Sequence, residues 1–170
     1  KNRPDFRMLG SNASVRNVLS EMKKYLTVTK PQEDLVICYV GSMIIAGGEL
    51  AMAVKDSESD NPASTVLFSD IVLAVERHFA GKSIVLIAQG PRDRSLAESP
   101  ELSVLDSPLS ILLYYPSKGG EKLVAKCLAG AADRDRDGYV TLSEMKDYLG
   151  SKGSATLKGN VNTGFRVSRV

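Results

Sequence analysis

The sequence predicts an α/β domain built on a mainly parallel sheet with helices on both faces. Three observations carry this. Short apolar runs recur at Asp34–Val40, Ile84–Ala88 and Leu109–Tyr115. A sheet wetted on one side would alternate apolar with polar, so unbroken apolar runs point to strands buried on both faces, as parallel sheets require. Between the runs lie segments with apolar residues at helical spacing, and strand–helix alternation is the mark of crossover connections. The third observation is size. A chain of 170 residues, 43% hydrophobic and 25% charged, can close one core without a disulfide or metal to hold it.

Each element has its own warrant. Residues 1–10 are basic and carry Phe6, Met8 and Leu9, which predicts a weak strand. Val15, Val18, Leu19, Met22 and Leu26 then fall on one helical face, with Ser14 placed to cap its start and Lys23 and Lys24 toward its end. After Pro31, Asp34–Val40 reads as a strand buried on both faces, stopped by Gly41 and Ser42. Gly47-Gly48 turns the chain into a short strand, Leu50 to Val54, and residues 55–64 form a polar loop. Ser69 is the expected cap of a second helix that buries Ile71, Val72, Val75 and Phe79 and ends at Gly81. The strand Ile84–Ala88 follows, then a proline-punctuated loop over 89–108 and the strand Leu109–Tyr115. Gly119-Gly120 precedes a third helix bearing Leu123, Cys127 and Leu128. Residues 151–170 are rich in Gly, Ser, Lys and Asn and read as a flexible tail able to add an edge strand, since Phe165 and Val167 alternate with Arg166 and Ser168.

Composition excludes several classes. Lys+Arg is 22 and Asp+Glu is 20, and a net charge of +2 is too small for binding driven by nucleic-acid phosphates. The longest apolar runs fall far short of the ~20 residues that cross a bilayer, and no signal peptide is visible. The chain begins at Lys1 rather than Met, as expected of a segment of something longer. Cys38 and Cys127 sit in apolar stretches and read as buried free thiols, which favours a reducing, cytoplasmic setting. The paired glycines lack phosphate-loop spacing and read as turns.

The most specific motif is DRDRDGYVTLSE, residues 133–144. A calcium-binding EF-hand loop needs oxygen ligands at positions 1, 3 and 5, glycine at 6, a backbone carbonyl at 7, a ligand or water holder at 9 and a bidentate glutamate at 12. Asp133, Asp135, Asp137, Gly138, Tyr139, Thr141 and Glu144 fill every one of these positions. Alternate side chains of a tight loop aim at one centre, and four carboxylates around it repel unless a cation intervenes. Val140, at position 8, is suited to anchoring the loop in a core. A helix before the loop and one after it, with Met145 and Leu149 on one face, complete a helix–loop–helix over 121–150. The plainer alternative is a solvated acidic turn without metal. A lone loop suggests a structural site, or one that pairs with another chain.

The junction CLAGAADRDRDGYVTLSEMKDYL and the order of elements before it resemble the caspase-like peptidase domains, the metacaspase-related group, in many of which such a segment closes the domain. Ala13, Ser14, Asn17 and Val18 are similar to the start of that family's early helix. DLVICYVGS, from Asp34, looks like its strand ending in Ser-Gly-His-Gly; GELAMAVKD, from Gly48, looks like the next strand and its acidic turn; and Ser83–Gly90 looks like the strand ending in Asp-x-Cys. The resemblance spans roughly residues 5–149. It implies a three-layer caspase-like sandwich with a mainly parallel sheet over 1–132, closed by the EF-hand helix–loop–helix.

The departures decide the expected function. The family's reaction is attack by a thiolate with histidine as base. Alignment puts Met43 at the histidine position, Gly90 at the cysteine position and Ala88 at the aspartate two residues before it. Neither Met43 nor Gly90 supplies a nucleophile or a proton acceptor. The one histidine, His78, reads as a surface residue late in the second helix. The family's opening strand, which lies beside the strand matched by Asp34–Val40, is also missing. An open slot in a sheet leaves backbone groups unpaired, so upstream sequence, a partner's strand or the tail around Gly164–Val170 is expected to fill it. The expected function is therefore a catalytically inactive domain, stabilised by Ca²⁺ bound at Asp133, Asp135, Asp137, Tyr139, Thr141 and Glu144, that serves as an interaction or scaffold module. Two alternatives stand beside it: an active calcium-dependent cysteine peptidase using an unaligned nucleophile, and a calcium sensor or buffer.

Overall fold

A computed structural model of the chain describes residues 10–58, 61–90 and 108–170. The strand expected in residues 1–10 and most of the loop expected over 89–108 lie outside the described residues. The central sheet has the order β1-β5-β6-β8. β1 (Asp34–Val40), β5 (Ser83–Gln89) and β6 (Leu109–Pro116) run parallel, and β8 (Gly153–Gly159) is antiparallel to β6. Helices α1 (Val15–Val28) and α2 (Phe68–His78) belong to a core on one face with Ile84, Leu86, Ala88, Leu109, Ile111 and Leu113. On the other face Val85, Ile87, Leu112 and Tyr114 meet α3 (Leu123–Lys126), a π turn (Cys127–Ala131) and α4 (Leu142–Gly150). Successive strand residues feed opposite cores, which is why β5 and β6 are apolar without a break. The fold is thus mixed α/β with a mostly parallel sheet. Among the described residues no helix is long and apolar enough to cross a membrane.

A second, antiparallel sheet joins β2 (Met43–Ala46), β3 (Glu49–Ala53) and β4 (Thr65–Leu67). Its buried Met43, Leu50, Met52 and Val66 extend the first core. β2 and β4 are absent from the sequence expectation because runs of three or four residues carry no readable period.

The structure revises several expectations. β1 is not buried on both faces. It is an edge strand of the described sheet, half-exposed, with Val40 66% exposed. Its apolar composition could not distinguish a central strand from an edge strand with one face covered. The third helix carries Leu123 as expected and runs on into the π turn that holds Cys127 and Leu128, where Gly130, at φ +97°, breaks it. Residues 151–170, expected as a flexible tail able to add an edge strand, are ordered into β8, which does form an edge, and β9 (Arg166–Arg169), with Phe165 and Val167 buried in the second core. β8 lines the edge opposite β1 and β9 pairs with β7 (Tyr139–Thr141), so the segment around Gly164–Val170 does not fill the slot beside β1.

Ser14 caps α1 as expected, accepting from the Asn17 backbone N–H at 3.3 Å. Ser69 does not cap α2. The helix begins at Phe68, and its Leu67 cap has no side-chain acceptor to offer. Glu49 of β3 serves instead: its carboxylate accepts from Ser69 Oγ at 2.6 Å and from the Ser69 backbone N–H at 3.1 Å. A negative charge at a helix N-terminus also suits the dipole. Glu49→Ala is expected to cost about 1 kcal/mol, the usual worth of a lost cap, read as a lower urea midpoint with unchanged slope.

Candidate functional site

The dozen residues from Asp133 begin just after the helix that Gly130 ends and finish inside the first turn of α4. Gly138 adopts φ +86°, the reversal that position 6 demands, and Arg136 is held at φ +61°. Carboxylate oxygens of Asp133, Asp135 and Asp137 all lie within 4.8 Å of one another. The loop's own backbone aims them. Asp133 Oδ2 accepts from the Gly138 N–H at 3.2 Å, Asp135 Oδ1 from the Asp137 N–H at 3.1 Å, and Asp137 Oδ1 from the Tyr139 N–H at 2.8 Å. Each aspartate thereby has one oxygen tied down and the other spare. The spare oxygen of Asp133, Oδ1, is buried and has no hydrogen-bond partner. A buried carboxylate oxygen without a donor is costly, and a hard cation bound to it would remove that cost.

Glu144 stands outside the aspartate triangle. Its Oε2 accepts from the Thr141 N–H at 2.9 Å and Thr141 Oγ1 at 2.8 Å, and Thr141 Oγ1 accepts from the Glu144 N–H at 3.3 Å. This reciprocal capping box starts α4. Glu144 Oε1 accepts from the Arg134 N–H at 2.9 Å, so the side chain already spans from the end of the loop to its second position. Hydrogen bonds from Thr141, backbone first and hydroxyl second, hold its carboxyl below the usual carboxylate range. Such a group stabilises the fold above its ordinary pKa, and that contribution is lost as pH falls through the lowered value. The structure therefore brings Asp133, Asp135 and Asp137 together, joins Thr141 to Glu144, and anchors fully buried Val140 in the second core. The three aspartates could hold a metal ion; in the expected calcium loop Thr141, Glu144 and the Tyr139 carbonyl would complete its ligands, and the ion would neutralise the clustered negative charge.

The second place of interest is an open cleft of about 310 Å³ at the carboxyl ends of β1, β5 and β6, lined by Val40, Gly41, Ser42, Gln89, Gly90, Pro116 and Glu121. Ligands of open α/β sheets bind at such strand ends. Gly90 borders this cleft next to the start of β2: a Cβ on it would lie 3.2 Å from the Met43 backbone nitrogen and 2.2 Å from the Gly41 carbonyl oxygen. Met43 is buried in the first core, and so is Ala88. His78 closes α2 and does not line the cleft, and the lining contains neither imidazole nor thiol.

The cysteines lie elsewhere. Cys127 is fully buried, and burial pushes its thiol up to about 12. Cys38 is exposed on β1, contrary to its expected burial, because β1 is an edge; even so, the protein packed around its sulfur pushes the thiol up to about 11. At neutral pH a thiolate with such a pKa is populated on the order of one part in ten thousand or less. Iodoacetamide at pH 7 is accordingly expected to leave both thiols unmodified on the timescale that labels an activated cysteine, with Cys127 reacting only after denaturation. Rapid labelling of the native chain at either position would contradict this.

The residues of the loop were legible from their spacing. Its supports outside the dozen, in the C-terminal segment, were signalled only by the alternation of Phe165 and Val167 with polar neighbours.

No family model and no curated protein matches the chain. Among solved structures, the chain is similar to protein GSU0716 from Geobacter sulfurreducens at 8% sequence identity and a TM-score of 0.63, over 95% of this chain and 80% of that one. At so low an identity the likeness concerns backbone architecture alone, and what it establishes is an α/β fold with a mostly parallel sheet.

Proposed function

We propose that this chain is a calcium-stabilised interaction module of caspase-like architecture, without peptidase chemistry. Two observations support the calcium reading: carboxylate oxygens of Asp133, Asp135 and Asp137 lie within 4.8 Å of one another, and Asp133 Oδ1 is buried without a hydrogen-bond partner. The caspase-like reading draws on the order of elements, on the junction leading into the loop, and on the meeting of Met43 and Gly90 at the strand ends. The same strand ends argue against catalysis: Gly90 carries no side chain, the Met43 side chain is buried in the first core, and the residues that line the cleft supply neither thiol nor imidazole.

A binding role is supported by β1. Its inner edge pairs with β5 along its whole length, and among the described residues its outer edge carries no strand. Exposed Cys38 and Val40 lie on this strand. An unpaired apolar edge is a template for a further strand, supplied by upstream sequence or by a partner protein, because the chain's own C-terminal strands are engaged elsewhere.

Calorimetric titration of the purified chain with calcium chloride, alongside a panel of fluorogenic peptide substrates, tests both halves. Binding heat with no hydrolysis is expected. Absence of heat removes the calcium reading, and hydrolysis traced to this polypeptide removes the inactive one.

A further inference from the structure

We infer that residues 163–170 are a working part of the calcium site, a clasp whose docking and calcium binding reinforce each other. The inference rests on the calcium reading above. A three-residue strand such as β7 has no partner inside its own loop, and so short a strand needs pairing to persist. β9 supplies it, with Tyr139 opposite Arg169, Val140 opposite Ser168 and Thr141 opposite Arg166.

The same segment reaches past the strand in both directions. The Val170 N–H donates to the Gly138 carbonyl at 2.9 Å. The Leu142 N–H donates to the Phe165 carbonyl at 2.8 Å, and the Ser143 N–H to the Thr163 carbonyl at 3.0 Å. Those are the first two N–H groups of α4, which the helix itself cannot satisfy. The Arg166 guanidinium stacks 4.0 Å above the Tyr139 ring. Val170 also packs over Gly130, where a Cβ would come within 2.5 Å of it. One segment thus touches the end of the entering helix, the backbone at loop positions 6 to 9 and the start of the exiting helix. Phe165 and Val167 bury themselves in the core beside Val140 and Leu142 and hold the segment down.

The clasp therefore fixes the backbone that bears three of the six expected ligands: Tyr139, Thr141 and, through the start of α4, Glu144. An ion that holds those ligands from inside and a strand that holds them from outside stabilise one conformation. Linkage makes the effect mutual, so calcium tightens the clasp by the same factor by which the clasp tightens calcium.

The test is amide hydrogen exchange on the full chain with and without calcium, combined with calorimetry on wild type and Phe165→Ala. Calcium is expected to slow exchange of the Leu142, Ser143 and Val170 amides at least about tenfold, and Phe165→Ala to weaken calcium binding by about the same factor. The β5 amides, remote from the loop, serve as the internal reference. Unchanged exchange at those three amides in wild type that calorimetry shows to be calcium-loaded would overturn the inference while sparing the calcium reading. So would a folded Phe165→Ala with wild-type affinity. Should Phe165→Ala fail to fold, the wild-type exchange decides. No calcium heat from wild type removes the calcium reading and the inference with it.

Discussion

Saturating calcium is expected to raise the melting temperature of the chain by about 5–10 °C, an increase that Asp133→Ala and Glu144→Ala abolish. The magnitude follows from mass action. At a hundredfold excess over Kd, an ion that binds only the folded state adds about 2.7 kcal/mol, and in a chain of this size each kcal/mol moves Tm by about 2–4 °C. The ligand variants differ in the metal-free state, and that difference separates a calcium site from an ordinary acidic turn. Asp135→Asn keeps an oxygen to accept from the Asp137 N–H while removing one charge from three converging carboxylates, so without calcium it should melt slightly above wild type. Glu144→Ala destroys the capping box of α4 and the bond to the Arg134 N–H, so it should melt below wild type even without calcium, by about 1 kcal/mol. Scanning calorimetry of the variants with calcium and with chelator reads both effects. A wild-type Tm that calcium leaves in place would show that the loop's spacing is not matched by binding.

Gly90→Ala should destabilise the chain by about 3 kcal/mol, among the largest effects of any single methyl group here. The reason is space rather than backbone conformation. The added carbon would lie 2.2 Å from the Gly41 carbonyl oxygen, far inside van der Waals contact. Gly41 cannot easily retreat. Its N–H is bonded to the Gln89 carbonyl at 2.9 Å, and Tyr39 beside it donates to the Ser42 and Ala53 carbonyls, each at 2.7 Å. The clash is therefore between backbones, and relief requires β1 and β5 to part at their ends. The same geometry bears on catalysis. A Gly90→Cys, Met43→His double variant should be less stable than wild type and should not acquire peptidase activity, because any side chain at position 90 meets the Gly41 carbonyl. Urea denaturation of Gly90→Ala is the direct check. A midpoint equal to wild type would mean that the strand ends yield freely.

These two sites were legible in the sequence to different degrees. The spacing expected of a calcium loop was complete in the order of residues because its requirements are local: alternate oxygen donors, one glycine and a closing glutamate within a dozen residues. The positions of Met43 and Gly90 followed from resemblance, whereas the closeness of Gly90 to the Gly41 carbonyl depends on how two strand ends meet in space. Glu144 was foreseen as a ligand, but not its hold on the Arg134 N–H, which depends on how the loop folds back on itself.

By itself the sequence determined the α/β class, the helices, the parallel strands of the central sheet, and a dozen residues whose spacing matches a calcium loop, because period, capping and loop spacing act over a few residues. The tertiary structure decided which strand became an edge, that Glu49 of β3 caps α2 in place of Ser69, and that the C-terminal segment splits between two distant partners. Such choices depend on which surfaces meet after the chain has crossed itself. An apolar run specifies that it must be covered, without naming what covers it.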